Sequence, residues 1–237
     1  MKLPSLREEV LEASLELVRR GLVIDTFGNA SGISREEGLV VIKPSGVAYE
    51  RMQPADMVVT DLAGRIVEGT LQPSSDLPTH LALYRAFEVI GGVAHTHSRS
   101  ATAWAQAGRP IPCLGTTHAD YFQGPIPVTA ALRPAEIKND YELNTGHAIV
   151  RTLHGTPAGK DPLAMPAVLV AGHAPFCWGS SPAGAAHIAW ILEEVAHMAY
   201  ASIVINSAVP PLADELRDKH FLRKHGPAAY YGQKAGR

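Results

Sequence analysis

The chain has 237 residues, 46% of them apolar and 19% charged, with a formal net charge of −2. That length and composition suit a folded chain with one sizeable core, and the near-neutral balance excludes a broad electrostatic affinity for nucleic acid or an anionic membrane. Only Cys113 and Cys177 are present, which excludes a disulfide framework or a C-x-x-C site and fits a reducing cytoplasm.

The opening Met1-Lys2-Leu3-Pro4-Ser5 lacks the apolar core and cleavage site of a signal peptide. No run approaches the roughly 20 apolar residues needed to span a bilayer. Ser5-Leu6-Arg7-Glu8 reads as a capping box. Leu6, Val10, Leu11, Leu15 and Val18 then recur at helical spacing, and Gly21 closes the helix.

Thr26 to Gly32 is rich in small residues with Asn29. It suits either a plain turn or an anion-binding loop with exposed N–H groups. Leu39-Val40-Val41-Ile42 is a buried strand, and Lys43-Pro44-Ser45-Gly46 follows it. A lysine beside a Ser-Gly turn can hold a phosphate through charge and backbone donors, or be a turn and no more. Met57 to Thr60 and Arg65 to Glu68 flank a short Gly-containing loop and read as a strand pair. Pro73-Ser74-Ser75-Asp76 leads into a helical pattern of Leu77, Leu81, Tyr84 and Phe87. Its serines sit where a helix start offers N–H groups to an anion or takes a cap, and Asp76 can cap that helix or reach a metal.

The stretch with most chemistry is Gly91-Gly92-Val93-Ala94-His95-Thr96-His97-Ser98. On an extended strand, i and i+2 share a face, so His95 and His97 present two imidazoles together. His173 ends a second apolar run, Val168 to Val170 with Ala171-Gly172. Three imidazoles and the Asp76 carboxylate form an N/O set suited to a divalent transition metal such as zinc.

Further on, Ala101 to Ala107 reads as a helix and Ile111 to Leu114 as a short strand. Thr116 to Phe122 is a polar-apolar mixture expected beside the site. Arg133-Pro134-Ala135-Glu136 opens a helix, and Glu142 to Thr152 forms another. His154 to Pro162 reads as an exposed loop. Ala167 to Val170 is the strand delivering His173. Ala183 to Ala208 is a long helix whose His187, Glu193 and His197 are surface or core-edge groups, since no H-E-x-x-H spacing pairs them. The tail carries Phe221, Tyr230 and Tyr231 within a basic cluster. Disordered tails are poor in aromatics, so this one is expected to dock, with a neighbouring subunit as a candidate.

Taken in order, Gly28-Asn29-Ala30-Ser31, Ile42 to Val47, Pro73 to Asp76, His95 to Ser98, Gly115 to Phe122 and Asp218 to Gly226 with Tyr230 to Gln233 make the chain resemble the class II aldolase/adducin family. The likeness runs almost full length. It implies one α/β domain over residues 1–237, with a mostly antiparallel central sheet flanked by helices. It also implies a homotetramer with sites between subunits, and a tail from Asp218 to Arg237 that serves the neighbour. By the same resemblance, Asp76, His95, His97 and His173 hold Zn2+, with Mn2+ or another divalent ion as alternatives. Gly28, Asn29, Ser45, Gly46, Ser74 and Ser75 hold a sugar phosphate, and Lys43 and His220 assist. Asp120 and Tyr231 are the acid/base pair, Tyr231 coming from the adjacent chain.

Aldolases of the family carry Glu where Asp76 stands. The shorter Asp suits a settled metal ligand, and the sequence is accordingly nearer the family's epimerases, which interconvert L-ribulose 5-phosphate and D-xylulose 5-phosphate by opening and remaking C3–C4. A zinc-dependent sugar-phosphate aldolase, a metal-dependent dehydratase and a non-catalytic adducin-head-like module are the alternatives. The expected setting is cytoplasmic, with no nucleic-acid or membrane partner.

Overall fold

A computed structural model describes residues 1–156 and 161–231. The first helix, α1 (Pro4–Arg19), starts on Pro4 with Leu3 as its cap and no side-chain capping bond. The expected capping box does not form, because Ser5 already lies inside the helix. The buried face is Arg7, Val10, Ala13, Ser14 and Leu17, rotated from the expected stripe; Val18 is exposed. The rotation follows from Arg7. Its guanidinium is buried and donates to Lys2 O (2.9 Å), Pro54 O (3.3 Å), Ala55 O (3.3 Å) and Met57 O, and pairs with Glu68 (2.9 Å). An arginine with that many acceptors can face inward.

The strands are β1 (Asn29–Ser34), β2 (Leu39–Ile42), β3 (Val58–Asp61), β4 (Ile66–Glu68), β5 (Gly92–His95), β6 (Ala167–Leu169) and β7 (Pro175–Gly179). They form one sheet in the order β4-β3-β2-β1-β5-β7-β6, and every pair within it is antiparallel. Ile111 to Leu114 makes only an isolated bridge to Ile126 rather than a strand. The strand Pro175–Gly179 was not anticipated; its alternation is hidden because both of its faces are buried.

Side-chain alternation assigns the two faces. On one, Gly32 of β1 meets Leu6 and Val10 of α1 and Pro182; a Cβ there would sit 2.7 Å from both Leu6 Cδ1 and Pro182 Cγ. Pro182 opens the long helix α7 (Pro182–Ile205), which also packs on β5 and β7. By length and mean hydropathy (1.5) α7 would suffice to cross a membrane, contrary to the expectation of no such run. Here it buries Ala185, Ala189, Leu192 and Val195 against the sheet while Tyr200, Val204 and Ile205 stay exposed.

The other face carries Asn29, Ser31, Val93, His95, Phe176 and Trp178, aligned by strand register. It is covered by α2 (Leu77–Ala86), and α6 (Tyr141–His154) packs against α2, with Gly146 seated closely on Thr79 and Ala82. Short helices α3 (Arg99–Gln106), α4 (Thr116–Ala119) and α5 (Pro134–Lys138) fill the edges. Glu193 accepts from Ser100 N (2.7 Å) and Ala101 N (2.9 Å), capping α3, which gives that α7 carboxylate a structural role. The last helix, α8 (Asp214–His225), docks on α4. Of the expected loop from His154 to Pro162, residues 157–160 lie outside the described residues, as do 232–237 of the tail.

Candidate active site

Three loops and two strand ends meet above the α2 face. His95 is the last residue of β5 and is buried. Its Nδ1–H donates to Pro175 O (2.9 Å), leaving the Nε2 lone pair free. His97 stands two residues on, past the strand end. His173 sits in the β6–β7 turn, not on the strand. That turn is pinned by Gly172 N to Ala105 O (3.0 Å) and Ala171 N to Thr129 Oγ1 (3.1 Å), and Gly172 adopts φ +73°. The Ala-Gly pair before His173 thus serves the backbone turn.

The three rings converge. Their centroids are 4.9 Å (His95–His97), 4.9 Å (His95–His173) and 5.0 Å (His97–His173) apart. One ring nitrogen from each falls within 4.8 Å of the others. Burial, then the neighbouring imidazoles, push His173 down to about 4, and the same causes lower His97. Both are therefore neutral at pH 7, the form that ligates metal.

Asp76 lies at the edge of this cluster, its Oδ2 3.9 Å from His95 Nε2. It is the N-cap of α2 but makes no side-chain capping bond. Its Oδ2 instead accepts from Asn29 Nδ2 (2.7 Å). Burial opposes ionisation, but the histidines and Asn29 outweigh it and hold the carboxyl below its usual range. Three imidazoles beside an ionised carboxylate fit a divalent cation by donor type, charge and spacing.

The two Ser-containing loops lie side by side. Ser45 N donates to Gln72 O (3.0 Å) and Ser74 N to Lys43 O (3.0 Å), and Pro44 bridges Pro73. This zipper brings Ser45, Gly46, Ser74 and Ser75 to one cavity of about 400 Å³, shared with Gly28, Asn29, Lys43, Asp76, His95, His97 and His173. Gly28 has φ +90°, and a Cβ on it would sit 3.0 Å from His95 O, so glycine is required where this loop crosses the strand end. Lys43 is buried yet has no carboxylate partner among the described residues. Its Nζ donates to Pro44 O (3.2 Å) and lies 4.6 Å from the Tyr49 ring centre. Burial lowers its pKa. A buried cation without a counter-charge, facing a cavity, is set to receive an anion.

Sequence reasoning did not name five cavity residues as site residues: Thr26, Phe27, Pro44, Tyr141 and Glu142. Tyr141 OH lies 3.2 Å from His173 Nδ1 and so orients that ring. Glu142 arrives with it, through Thr79 Oγ1 donating to Glu142 O (2.6 Å). Thr26 and Phe27 belong to the Thr26–Gly32 loop, and Pro44 to the Lys43–Gly46 turn, both read from sequence as possible anion-binding segments.

Asp120, His220 and Tyr231 do not line this cavity, and neither does any residue from Thr116 to Phe122, the segment expected next to the site; Tyr231 and the tail were expected to serve an adjacent chain. Asp120, His220 and Tyr231 form a second cluster where α4 meets α8. Asp120 accepts from Arg223 (2.7 and 3.0 Å) and His220 Nδ1 (3.0 Å), with Lys224 Nζ at 3.7 Å. Tyr231 lies over Arg223 (4.7 Å) and Lys224 (4.4 Å). Burial opposes ionisation of Asp120, but the Arg223 and His220 hydrogen bonds outweigh it and hold the carboxyl below its usual range. The tail is docked, on its own α4.

Residues 8–200 match the model of the Class II Aldolase and Adducin N-terminal domain. The chain is 56% identical over 229 residues to the L-ribulose-5-phosphate 4-epimerase UlaF of Salmonella paratyphi B, covering 97% of this chain and 99% of that one. The Salmonella typhi enzyme of the same name matches to the same extent. Among solved structures, an L-fuculose 1-phosphate aldolase superposes with a TM-score of 0.76 at 25% identity, over 91% of this chain and 94% of that one. YgbL of Klebsiella pneumoniae, titled a putative aldolase/epimerase/decarboxylase, gives 0.72 at 25% identity, over 92% and 99%. With its antiparallel sheet, its histidine cluster and a family match over most of its length, the chain belongs to the class II aldolase/adducin family.

Proposed function

We propose that this chain is an isomerase, a divalent-metal-dependent 4-epimerase that interconverts L-ribulose 5-phosphate and D-xylulose 5-phosphate. The observation that carries this reading is one cavity holding three imidazoles and an ionised Asp76 at one side and, at the other, two Ser loops with a buried Lys43 that has no carboxylate partner among the described residues. Such a pairing suits a phosphorylated sugar, with charge for the phosphate and an ion for the oxyanion. The likeness to the UlaF epimerases over almost the whole chain supports the same reaction.

His95, His97, His173 and Asp76 would hold the ion, which we take to be zinc. Once bound, it would supply Lewis-acid stabilisation to the oxyanion that develops as C3–C4 opens. C4 bears no acidic proton, so inversion by direct deprotonation is unfavourable. Removing the C4 hydroxyl proton instead lets C3–C4 break, giving a three-carbon enediolate and glycolaldehyde phosphate. Lys43, Ser45, Gly46, Ser74 and Ser75, with Gly28 and Asn29 closing the cavity, keep the phosphate in place while the aldehyde presents its other face. Re-addition then forms C3–C4 with the opposite configuration, and a proton returns to the C4 oxygen.

That oxygen points to opposite sides before and after, so two proton-transfer groups are needed. We assign Asp120 and Tyr231, with His220 holding Asp120. Asp120 is ionised, which suits the base, and leaves the proton donor's part to Tyr231. Both lie off the cavity of their own chain, which supports supply to the neighbouring subunit of a cytoplasmic homotetramer.

Incubating metal-loaded protein with L-ribulose 5-phosphate tests the reading. D-xylulose 5-phosphate without accumulation of free aldehyde is expected. Release of stoichiometric aldehyde would instead place the chain with the aldolases.

A further inference from the structure

Beside the imidazole cluster runs a buried polar chain that the reaction above does not use. Asp76, His80 and Tyr84 follow at intervals of four from the cap of α2 and share one stripe of the helix. Asn29 and Ser31, two apart on β1, face that stripe. Asn29 Nδ2 donates to Asp76 Oδ2 (2.7 Å), while Ser31 Oγ lies 2.7 Å from His80 Nδ1 and 2.7 Å from Tyr84 OH. Ser31, His80 and Tyr84 are each 0% exposed.

One assignment of these bonds leaves no hydroxyl hydrogen idle. Ser31 Oγ is the acceptor available to the buried Tyr84 hydroxyl among the described side chains. Ser31's own hydrogen then goes to His80 Nδ1. With Nδ1 accepting, the imidazole proton sits on Nε2. That Nε2–H is buried and has no hydrogen-bond partner among the described residues. Asp76 takes its Asn29 bond on Oδ2, and Oδ1 accepts none from the described residues. His80 and Asp76 stand four apart on the helix, about 5–6 Å at Cβ, and their polar atoms are more than 4.0 Å apart here, so a turn of the carboxylate is what closes the gap. A fully buried donor without a partner is costly and calls for a reason.

We propose that His80 is the positioning residue for Asp76: its Nε2–H donates to Asp76 Oδ1 when Oδ2 serves the divalent cation. This rests on the metal reading of the cavity. The chain Tyr84–Ser31–His80 sets the imidazole tautomer so that the proton faces the carboxylate. Asn29 and His80 then hold Asp76 from two sides. The carboxylate cannot turn away from the imidazoles, and one oxygen is kept for the ion. Outer hydrogen bonds of this kind set metal affinity by 10–100-fold.

The test is zinc affinity, read by competition with a chromophoric chelator on metal-free protein, together with the melting temperature of that metal-free protein. His80→Asn keeps an acceptor for Ser31 but places nothing at the Nε2 position. His80→Phe keeps the ring shape alone, and His80→Gln places an amide donor where Nε2 stood. The zinc dissociation constant should rise by roughly 10–100-fold in His80→Asn and His80→Phe and stay within about threefold of wild type in His80→Gln, whatever the melting temperatures do. Nitrogen NMR of the wild-type ring should show the proton on Nε2. Wild-type affinity in all three variants would overturn the proposal, as would equal weakening in Gln and Phe, or a proton on Nδ1.

Should the Asn and Phe variants fail to fold, Ser31→Ala carries the test, since it releases Nδ1 and frees the tautomer. Weaker zinc binding supports the role, and unchanged binding overturns it. Wild-type protein that binds no zinc would sink the metal reading itself. Zinc bound equally by wild type and variants sinks only the assignment of His80.

Discussion

Replacing Lys43 with Met should weaken substrate binding and stabilise the free protein at the same time. The lysine is 2% exposed. Its ammonium has a carbonyl at 3.2 Å and the Tyr49 ring face at 4.6 Å, but no carboxylate among the described residues. In the free protein it is a desolvated cation with little compensation, which is why its pKa falls. Methionine has similar length and no charge. Removing the unmet desolvation should raise stability by on the order of 1 kcal/mol, or about 2–4 °C in melting temperature for a domain of this size. In the complex the same ammonium meets a phosphate. A hydrogen bond to a charged partner contributes about 1.5–3 kcal/mol, so Lys43→Met should weaken L-ribulose 5-phosphate by roughly 10- to 150-fold. Calorimetric titration of the sugar phosphate and differential scanning calorimetry of the free protein read the two effects separately. Unchanged affinity, or a lower melting temperature, would refute the view of Lys43 as a cation held ready for an anion.

Asp120→Asn should lower turnover by roughly 10²–10⁴-fold, the range for a lost acid/base group, with zinc content unchanged; a loss under about threefold removes Asp120 from the chemistry. Deleting the chain from Tyr230 onward should abolish epimerisation yet leave a folded, metal-binding protein, and normal epimerisation by the shortened chain would clear Tyr231 of a catalytic role. If Asp120 serves the neighbour, co-assembling Asp120→Asn chains with His97→Asn chains should restore activity that neither has alone; mixtures as inactive as the parents would place both residues in one chain's site. His118 gives a stability prediction away from the site. Burial pushes its pKa down to about 4, although its ring donates to Gly124 O at 2.8 Å. The unfolded chain, near 6.5, binds the proton more readily between those values, so stability is full above about pH 6.5 and falls as pH drops toward 4. The distance from 6.5 down to about 4 corresponds to roughly 3–4 kcal/mol, at about 1.4 kcal/mol per tenfold change in proton affinity. Denaturant unfolding at pH 7 and pH 4.5 should show a shallower decline in His118→Gln, and equal slopes would refute this.

The parts of the site that were legible from sequence are those whose geometry is local. The β2 strand and the Lys43–Gly46 turn follow from a four-residue apolar run and a glycine with φ +66°. The pairing of His95 with His97 was expected from strand alternation and is present, although His97 lies just past the end of β5. Long-range facts were not readable. Tyr141 and Glu142 reach the cavity only because Gly146 lets α6 sit closely on α2, and no spacing in either segment announces that. The α1 face turned away from its apolar stripe because Arg7 found carbonyl acceptors in the Pro54–Met57 segment, some 50 positions on. Asp120 looked like a neighbour of the imidazoles in its own chain. Its actual partners, His220 and Arg223, lie 100 and 103 positions away. The orphaned Nε2 of His80 could not be seen in sequence at all, because a histidine four after an aspartate reads as one more helix residue.

The central claim is that one cation held by His95, His97, His173 and Asp76 is needed for inversion at C4. It is tested most directly by measuring zinc content and formation of D-xylulose 5-phosphate on the same samples, across graded zinc reconstitution of metal-free wild type and in His97→Asn. Turnover should rise in proportion to zinc up to one ion per chain, and His97→Asn should lose both together. Full epimerisation by metal-free protein, or by a His97→Asn variant that holds no ion, would contradict it.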